Sequence, residues 1–158
     1  MSHGAGVAIL FGSESDRPTM EETAKVLESF GIPHEMHHAS AHRAPEKVRE
    51  IVASAPGRGV KVFVAGAGMA NHLAGTVAAH TTLPVIGVPL AGSALAGADS
   101  LYSTVQMPPG VPVATVAIGV PGAKNAAVLA AQILALEDPS LQLKLEDLKA
   151  RLARGEKL

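Results

Sequence analysis

The amino-acid sequence predicts an α/β fold in which helices cover both faces of a parallel sheet. Short, continuous apolar runs alternate with longer segments of helical periodicity, which is the pattern of a doubly wound sheet. Glycine or small polar residues follow most of the apolar runs. The chain has 158 residues, of which 47% are hydrophobic. This length and composition predict a single domain over residues 1–158 with a sizeable core.

The elements follow one another in a regular order. The run Val7–Phe11 is apolar throughout and ends at Gly12, which predicts a strand buried on both faces. Residues 18–30 carry apolar side chains at helical spacing, and Gly31 ends that helix. The remaining predicted elements are strands over 34–39, 60–65, 84–88 and 113–118, alternating with helices from Pro45 and over 71–80, 98–106 and 121–136.

A last helix is predicted over residues 138–154. Asp138 can cap its first turn, and Pro139 suits the first helical position. The five-strand unit is complete before this helix begins, so we predict that the helix packs on a neighbouring subunit. Periodicity alone equally allows a helix folded back on its own sheet. The apolar stripe in question consists of Leu141, Leu145, Leu148 and Leu152.

Composition argues against several classes of protein. The formal net charge is −1 and 3% of the residues are aromatic, whereas nucleic-acid binding normally needs a basic surface and stacking rings. No apolar run is long enough to span a bilayer. We therefore expect neither a nucleic-acid nor a membrane partner. The sequence has no cysteine, which excludes thiol chemistry and fits a cytoplasmic location, and Met1–Gly6 shows no basic leader, so we expect no signal peptide.

Residues capable of chemistry collect where the predicted strands end. The carboxyl ends of parallel strands meet at one edge of a sheet, and ligands bind at that edge in open α/β folds. Four polar or glycine-rich segments fall there, over residues 12–16, 40–43, 66–72 and 89–97. We therefore expect one site built from several loops.

His42 and Arg43 are the strongest functional candidates in these segments. Histidine can move a proton near neutral pH, and arginine offers a fork of donors to a phosphate or carboxylate. With the hydroxyl of Ser40 beside them, they predict an enzyme that acts on a small anionic substrate. His72 is expected to face the same crevice. The alternative for His42 is a structural histidine bonded to a backbone carbonyl.

The two glycine-containing segments are less specific. Gly12–Asp16 offers hydroxyls and backbone N–H groups to an anion or a sugar hydroxyl, but ordinary N-capping by Ser15 or Asp16 is an equally good interpretation. No Gly-Lys-Ser/Thr follows, so this is not a P-loop. Gly66–Asn71 approaches the dinucleotide fingerprint but lacks its third glycine and a following acidic residue, so we reject NAD binding.

A metal site is not expected at the histidines of the second predicted strand. His34, His37 and His38 fall on or beside this strand, and Glu35 points away from its immediate neighbours. A zinc site would need three or four converging ligands, which this spacing does not supply.

Together these residues resemble the class I 5-(carboxyamino)imidazole ribonucleotide mutases of purine biosynthesis. The resemblance covers almost the whole chain and rests on long ordered motifs. These motifs are Gly12–Asp16, Ser40–Pro45, Ala65–Gly68, His72–Leu73, Leu83–Pro89, Asp99–Pro108, Gly110–Gly119 and Asn125–Ala127.

The resemblance implies a flavodoxin-like, three-layer αβα fold with a five-stranded parallel sheet and an extra C-terminal helix. It also implies a homo-octamer with active sites between subunits, and no metal or organic cofactor. The implied reaction moves a carboxylate from the exocyclic nitrogen of an aminoimidazole ribonucleotide to a ring carbon, through carbon dioxide held in a closed pocket. The product would be carboxyaminoimidazole ribonucleotide, on the route to IMP.

Carried over by position, the resemblance implies that His42 is the general acid–base. Arg43 would hold the phosphate, Asp16 the ribose hydroxyls, and His72 with Leu73 would lie near the carboxylate. The full substrate-binding set that we expect is Ser13, Ser15, Asp16, Ser40, Arg43, Ala67, Gly68, His72 and Leu73.

The chain departs from the family pattern at a few positions. Arg17 stands where the family usually has Trp, and Met69, Asn71 and Ala74 replace the usual Gly, Ala and Pro around His72. Class II enzymes, which carboxylate aminoimidazole ribonucleotide directly with carbon dioxide, carry an Asn in this region. The alternative within the family is therefore a class II carboxylase. The alternative of another class is a non-catalytic ribonucleotide-binding module.

Overall fold

Five parallel strands form the centre of the structure, a computed structural model that describes Gly4 and residues 6–158. The expectation of no signal peptide at Met1–Gly6 therefore lies largely outside the described residues. The sheet order is β2-β1-β3-β4-β5, which is the flavodoxin-like order and confirms the predicted fold. The strands are β1 (Val7–Phe11), β2 (His34–His38), β3 (Val62–Gly68), β4 (Val85–Leu90) and β5 (Ala114–Thr115).

Helices cover both faces of this sheet, as predicted. One layer contains α1, α5 and α6, whose buried side chains share a core with alternate strand residues. The other layer contains α2 and α3, which bury the opposite face, and α4 packs beside β4. In the described part of the chain, no helix has the length and apolarity needed to cross a membrane. The helices are α1 (Arg17–Phe30), α2 (Pro45–Ser54), α3 (Leu73–Ala79), α4 (Ala98–Val105), α5 (Val120–Ala135) and α6 (Pro139–Ala153).

The first strand shows why its sequence is apolar without interruption. Successive side chains of a strand point to opposite faces, and β1 is buried on both. Val7, Ile9 and Phe11 belong to the core beneath α1 and α5, while Ala8 and Leu10 belong to the core beneath α2 and α3. A strand that is buried on only one face would carry polar residues at every second position.

The fifth strand is shorter than predicted, with two paired residues in place of the expected 113–118. The backbone N–H groups of Val116 and Gly119 still donate to the carbonyls of Gly87 and Pro89 on β4. Pro89 has no N–H to return a bond to the neighbouring strand. The regular ladder therefore ends early, and the chain past Thr115 follows β4 without full pairing.

The glycine-rich segment after the third predicted strand also differs from expectation. Residues 66–68 belong to β3, in register with β4 through the pair Gly68 and Leu90. The turn begins at Met69, whose φ of 55° lies in the left-handed region. The glycines are in the strand because β4 is long enough to pair with them. The edge of the sheet at this point is therefore formed by the end of β3 together with the turn that follows it.

The last helix begins as predicted, since the Asp138 carboxylate accepts hydrogen bonds from the N–H groups of Ser140 and Leu141. Its leucines Leu141, Leu145 and Leu148 are buried in the core of their own chain, and Lys144 Nζ donates to the carbonyl of Phe30 at 2.6 Å. Most of the leucine stripe therefore follows the alternative in which the helix folds back on its own chain. In this structure α6 packs on α5 and not directly on the sheet. Packing of the remaining exposed face on a neighbouring subunit stays a prediction.

Candidate active site

A cavity of about 530 Å³ opens at the carboxyl ends of β1 and β3. β2 lies on one side of β1 and β3 lies on the other, so the order in which strands are added changes direction at this point. Ligands bind at such a switch point in open parallel sheets. The cavity lining brings together all ten residues that the sequence singled out. These are Ser13, Ser15, Asp16, Ser40, His42, Arg43, Ala67, Gly68, His72 and Leu73.

His42 and His72 form a direct pair in this cavity. His42 Nε2 lies 2.6 Å from His72 Nδ1, and the ring centroids are 4.5 Å apart. One ring must donate and the other must accept, so the pair shares one proton between the two nitrogens. Each ring comes from a loop that follows a different strand. No carbonyl partner of His42 accompanies this contact among the described hydrogen bonds, in contrast to the structural alternative raised by the sequence.

Arg43 is aimed across the cavity by short local contacts. Its backbone N–H donates to Ser40 Oγ at 3.2 Å, and its Nε lies 3.4 Å from the same oxygen. A terminal nitrogen donates to the carbonyl of Gly12 at 3.2 Å. These side-chain contacts use two of the five guanidinium N–H groups. The others can bind an anion, such as a phosphate, in the adjoining space.

The turn between β1 and α1 presents Ser13, Ser15 and Asp16 to the cavity. Ser13 caps the short 3-10 turn Glu14–Asp16, since its Oγ accepts from the N–H of Ser15. Asp16 occupies the N-cap position of α1 but its side chain makes no capping hydrogen bond. Capping by Ser15 or Asp16 therefore does not explain these residues. Both residues line the cavity.

Burial changes the acidity of Asp16. Desolvation raises the pKa of this carboxyl above its ordinary value, against the opposing effects of a hydrogen bond with Ser13 and the charges of His38 and Arg43. A carboxylate that has lost part of its water gains from hydroxyl donors in a ligand. Asp16 is accordingly suited to accept hydrogen bonds from a sugar.

Sequence reasoning did not find how His72 is held. Asn71 is 1% exposed, and its Nδ2 donates to Thr104 Oγ1 at 2.8 Å, while its backbone N–H donates to Ser103 Oγ at 2.9 Å. The residue before His72 is thus tied to α4. A partner more than 30 positions away leaves no signal in a single sequence, although an Asn after a glycine-rich strand end is an unusual residue to bury.

Two of the histidines of β2, His34 and His37, lie close to acceptors in or beside the same strand. His37 Nε2 lies 2.9 Å from Glu35, and Arg58 Nε donates to both oxygens of the same carboxylate, which lowers the pKa of Glu35. His34 Nδ1 lies 3.1 Å from the carbonyl of Ile32. Within the described range, no three His, Cys, Asp or Glu side chains converge as a metal site would require.

The fold and the site together define a flavodoxin-like enzyme in which a histidine pair and an arginine share one cavity at the carboxyl ends of the strands. The chain belongs to the AIR carboxylase family, whose model matches residues 6–155.

Relatives and solved structures agree with this assignment. The N5-carboxyaminoimidazole ribonucleotide mutase of Pyrococcus abyssi is 53% identical over 148 residues, which are 94% of this chain and 84% of that protein. The enzyme of the same name from Escherichia coli K12 is 52% identical over 143 residues, covering 90% and 85% of the two chains. A crystal structure of Treponema denticola PurE matches with a TM-score of 0.84 at 32% identity, covering 94% of this chain and 92% of that one.

Proposed function

We propose that this protein is a mutase that converts 5-(carboxyamino)imidazole ribonucleotide to carboxyaminoimidazole ribonucleotide, a step of IMP biosynthesis. The observation that carries the proposal is the pairing of His42 with His72 in one cavity with the Arg43 guanidinium. A proton-transfer group and an anion clamp within one cavity are what this reaction needs. Relatives about half identical to this chain bear the mutase name.

His42 can supply both proton transfers. As the bond between the exocyclic nitrogen and the carboxylate carbon breaks, carbon dioxide leaves and His42 protonates the nitrogen. A new bond then forms between the ring carbon and carbon dioxide, and His42 takes back the proton that this carbon loses. The proton count is unchanged over the cycle and there is no net oxidation or reduction, so the transfer needs no net proton source, oxidant or reductant.

The non-reacting part of the substrate would be bound at the other end of the cavity. Arg43 would bind the phosphate through its unused N–H groups, assisted by the hydroxyls of Ser13, Ser15 and Ser40. Asp16 would accept from the ribose hydroxyls. Ala67 and Gly68 offer little side-chain bulk, which lets a flat imidazole ring approach the end of β3, and Leu73 is buried beside it.

Carbon dioxide must be retained during the transfer, and a second copy of the chain would close the cavity. His42 and His72 are both exposed in the single chain. Large apolar side chains are exposed as well: Met69 at 62% in the cavity lining, Leu95 at 63% before α4, and Tyr102 at 69% on α4. Exposed apolar side chains of this kind are typical of an interface. We propose that they are buried in a homo-octamer with active sites between subunits, and that the protein is cytoplasmic, as expected from the sequence.

A class II carboxylase is the second candidate. Asn71 favours it, because class II enzymes carry an Asn in this region. Relatives at 52% to 53% identity bear the mutase name, so the mutase is the better supported reaction.

The substrates separate these functions directly. Purified protein is given the carboxyamino substrate without ATP or bicarbonate, and separately aminoimidazole ribonucleotide with bicarbonate. We expect turnover in the first mixture and little in the second, while the opposite result would identify a carboxylase. Binding of both ribonucleotides without turnover of either would identify a non-catalytic module.

A further inference from the structure

The substrate-binding turn Ser13–Asp16 has few anchors of its own. Among the described residues, the hydrogen bonds of Ser13, Ser15 and Asp16 stay within the turn. The entry to the turn is fixed, because the N–H of Gly12 donates to the carbonyl of Gly66 at 3.2 Å. Something else must fix its exit if the turn is to present its side chains to a ligand.

A group of side chains at the exit does this, and we call Phe11, Glu14, Arg17 and His38 the Glu14 cluster. Two nitrogens of the Arg17 guanidinium donate hydrogen bonds to the Glu14 carboxylate, at 2.7 and 3.0 Å. The same guanidinium lies over the Phe11 ring, 4.7 Å from its centroid. Phe11 is fully buried in the core, so it is a rigid base for this contact.

A second element joins the cluster. His38 Nδ1, at the end of β2, lies 3.1 Å from Glu14 Oε1. The His38 ring stacks on Phe11 with a centroid separation of 5.6 Å and an interplanar angle of 10°. Glu14, the first residue of the 3-10 turn, is thereby tied to β1, α1 and β2 together.

An exposed ion pair by itself contributes little to a protein. This one differs because its geometry is bidentate, its cation rests on a buried ring, and its anion has a second partner. The hydrogen bond from Arg17 lowers the pKa of Glu14 below its ordinary value, as expected for a carboxylate held in this way. Neither Arg17 nor His38 lines the main cavity.

We propose that Arg17 is a positioning residue for substrate affinity: through the Glu14 cluster it holds the turn Ser13–Asp16 in the conformation that binds the ribose–phosphate part. This inference rests on the proposed function, since that function supplies the ligand. The turn contacts a part of the substrate that does not react. Loss of such contacts weakens ground-state and transition-state binding alike, so KM rises while kcat is kept.

The test uses Arg17→Met and Arg17→Lys, with Arg49→Met as the matched control. Arg49 pairs with Glu46 at the same i,i+3 spacing and comparable exposure, but on α2 and away from the turn. For Arg17→Met we expect KM to rise about fivefold to tenfold, with kcat within about twofold of the parent protein. Arg17→Lys keeps the positive charge but not the bidentate geometry, so its KM should lie between that of the parent protein and that of Arg17→Met. Arg49→Met should change neither constant.

Binding of carboxyaminoimidazole ribonucleotide, measured by calorimetry, should weaken in parallel with KM. Glu14→Gln provides a second route to the same loss if Arg17→Met unfolds, which thermal denaturation would reveal. Unchanged KM and affinity in the folded Arg17 and Glu14 variants would overturn the inference, as would a loss confined to kcat. A parent protein that neither binds nor converts these ribonucleotides would instead refute the proposed function.

Discussion

At the scale of single residues, the proposed chemistry depends on the proton shared by His42 and His72. The two nitrogens are 2.6 Å apart, so a proton on one of them requires the other to act as the acceptor. His42 is the proposed acid and base, and His72 orients it. The two residues should therefore differ in how much activity their replacement removes.

Replacement of His42 by Asn should lower kcat by about a thousandfold or more, because general acid–base catalysis of both steps is lost. The variant should remain folded, since His42 is exposed. Steady-state kinetics with a thermal denaturation curve checks both points. Substantial activity in a folded His42→Asn protein would remove His42 from its role.

Replacements of His72 should depend on whether they keep a hydrogen-bond partner for His42. Asn places an oxygen or nitrogen near the position of Nδ1, whereas Leu places none. We expect His72→Asn to lose about tenfold in kcat and His72→Leu about a hundredfold. Equal losses in the two variants would show that the His42–His72 bond is not used.

Asp16 should show a conflict between stability and binding. Its carboxyl has a raised pKa in the folded chain, mainly through burial. Such a group favours folding below its ordinary pKa of about 3.9, and this contribution is lost as pH rises through the raised value. Asp16→Asn should therefore unfold at a higher temperature than the parent protein at pH 7, while its KM rises about tenfold.

The unfolding temperatures of Asp16→Asn and of the parent protein are measured by thermal denaturation over a range of pH. The stability advantage of Asp16→Asn should disappear once the pH falls below the ordinary carboxyl pKa, where the parent side chain is also neutral. A variant less stable than the parent protein at pH 7 would contradict the role of burial.

At the scale of elements, the sequence predicted the strands that carry a regular apolar pattern. It missed the features that depend on a residue of another element. Continuous apolar runs identified β1 and β4 because burial on both faces leaves a direct pattern. The length of β5 could not be predicted, since it is limited by Pro89 on another strand. Asn71 and Thr104 form their hydrogen bond across 33 positions, and a single sequence carries no sign of it.

The start of α5 makes the strictest demand on a side chain. A Cβ at Gly122 would clash with the carbonyl oxygen of Ala117 and lie 2.6 Å from its carbonyl carbon. Backbone cannot yield as a flexible side chain can. We expect Gly122→Ala to destabilise the protein by about 3 kcal/mol or more, measured as a lower midpoint of urea denaturation.

Gly57 is the matched control, because a Cβ there would meet nothing within 4 Å. Gly57→Ala should leave the midpoint within the error of the measurement. An unchanged midpoint for Gly122→Ala would show that α5 begins differently from the structure described above.

At the scale of the whole molecule, the sequence predicted a parallel sheet with helices on both faces and placed nine of the ten candidate residues in segments that meet at one edge. It succeeded because strand ends in a parallel sheet converge regardless of the details of packing, whereas Leu73 came from the family resemblance alone. It could not decide what α6 covers, because periodicity identifies an apolar stripe but not its partner. Most of that stripe turned out to be buried in its own chain.

The exposed apolar side chains of Met69, Leu95 and Tyr102 predict assembly. Tyr102→Lys places a charge where the proposed octamer buries an aromatic ring that is 69% exposed in the single chain. We expect light scattering to show smaller particles and activity to fall at least about tenfold. Leu136→Lys is the control. Leu136 is 86% exposed, but it follows the last residue of α5 and is not part of α4, which carries Tyr102. A fully active octamer of Tyr102→Lys would contradict the proposed interface.

The most direct test follows the carboxylate carbon itself. Substrate labelled with ¹³C in its carboxyamino group is converted in excess unlabelled bicarbonate, and the product is examined by mass spectrometry. A mutase that keeps carbon dioxide in a closed site should deliver nearly all of the label to the carboxylate on the ring carbon. Product whose label has been diluted to that of the bicarbonate pool would contradict the transfer within one site and favour a carboxylase.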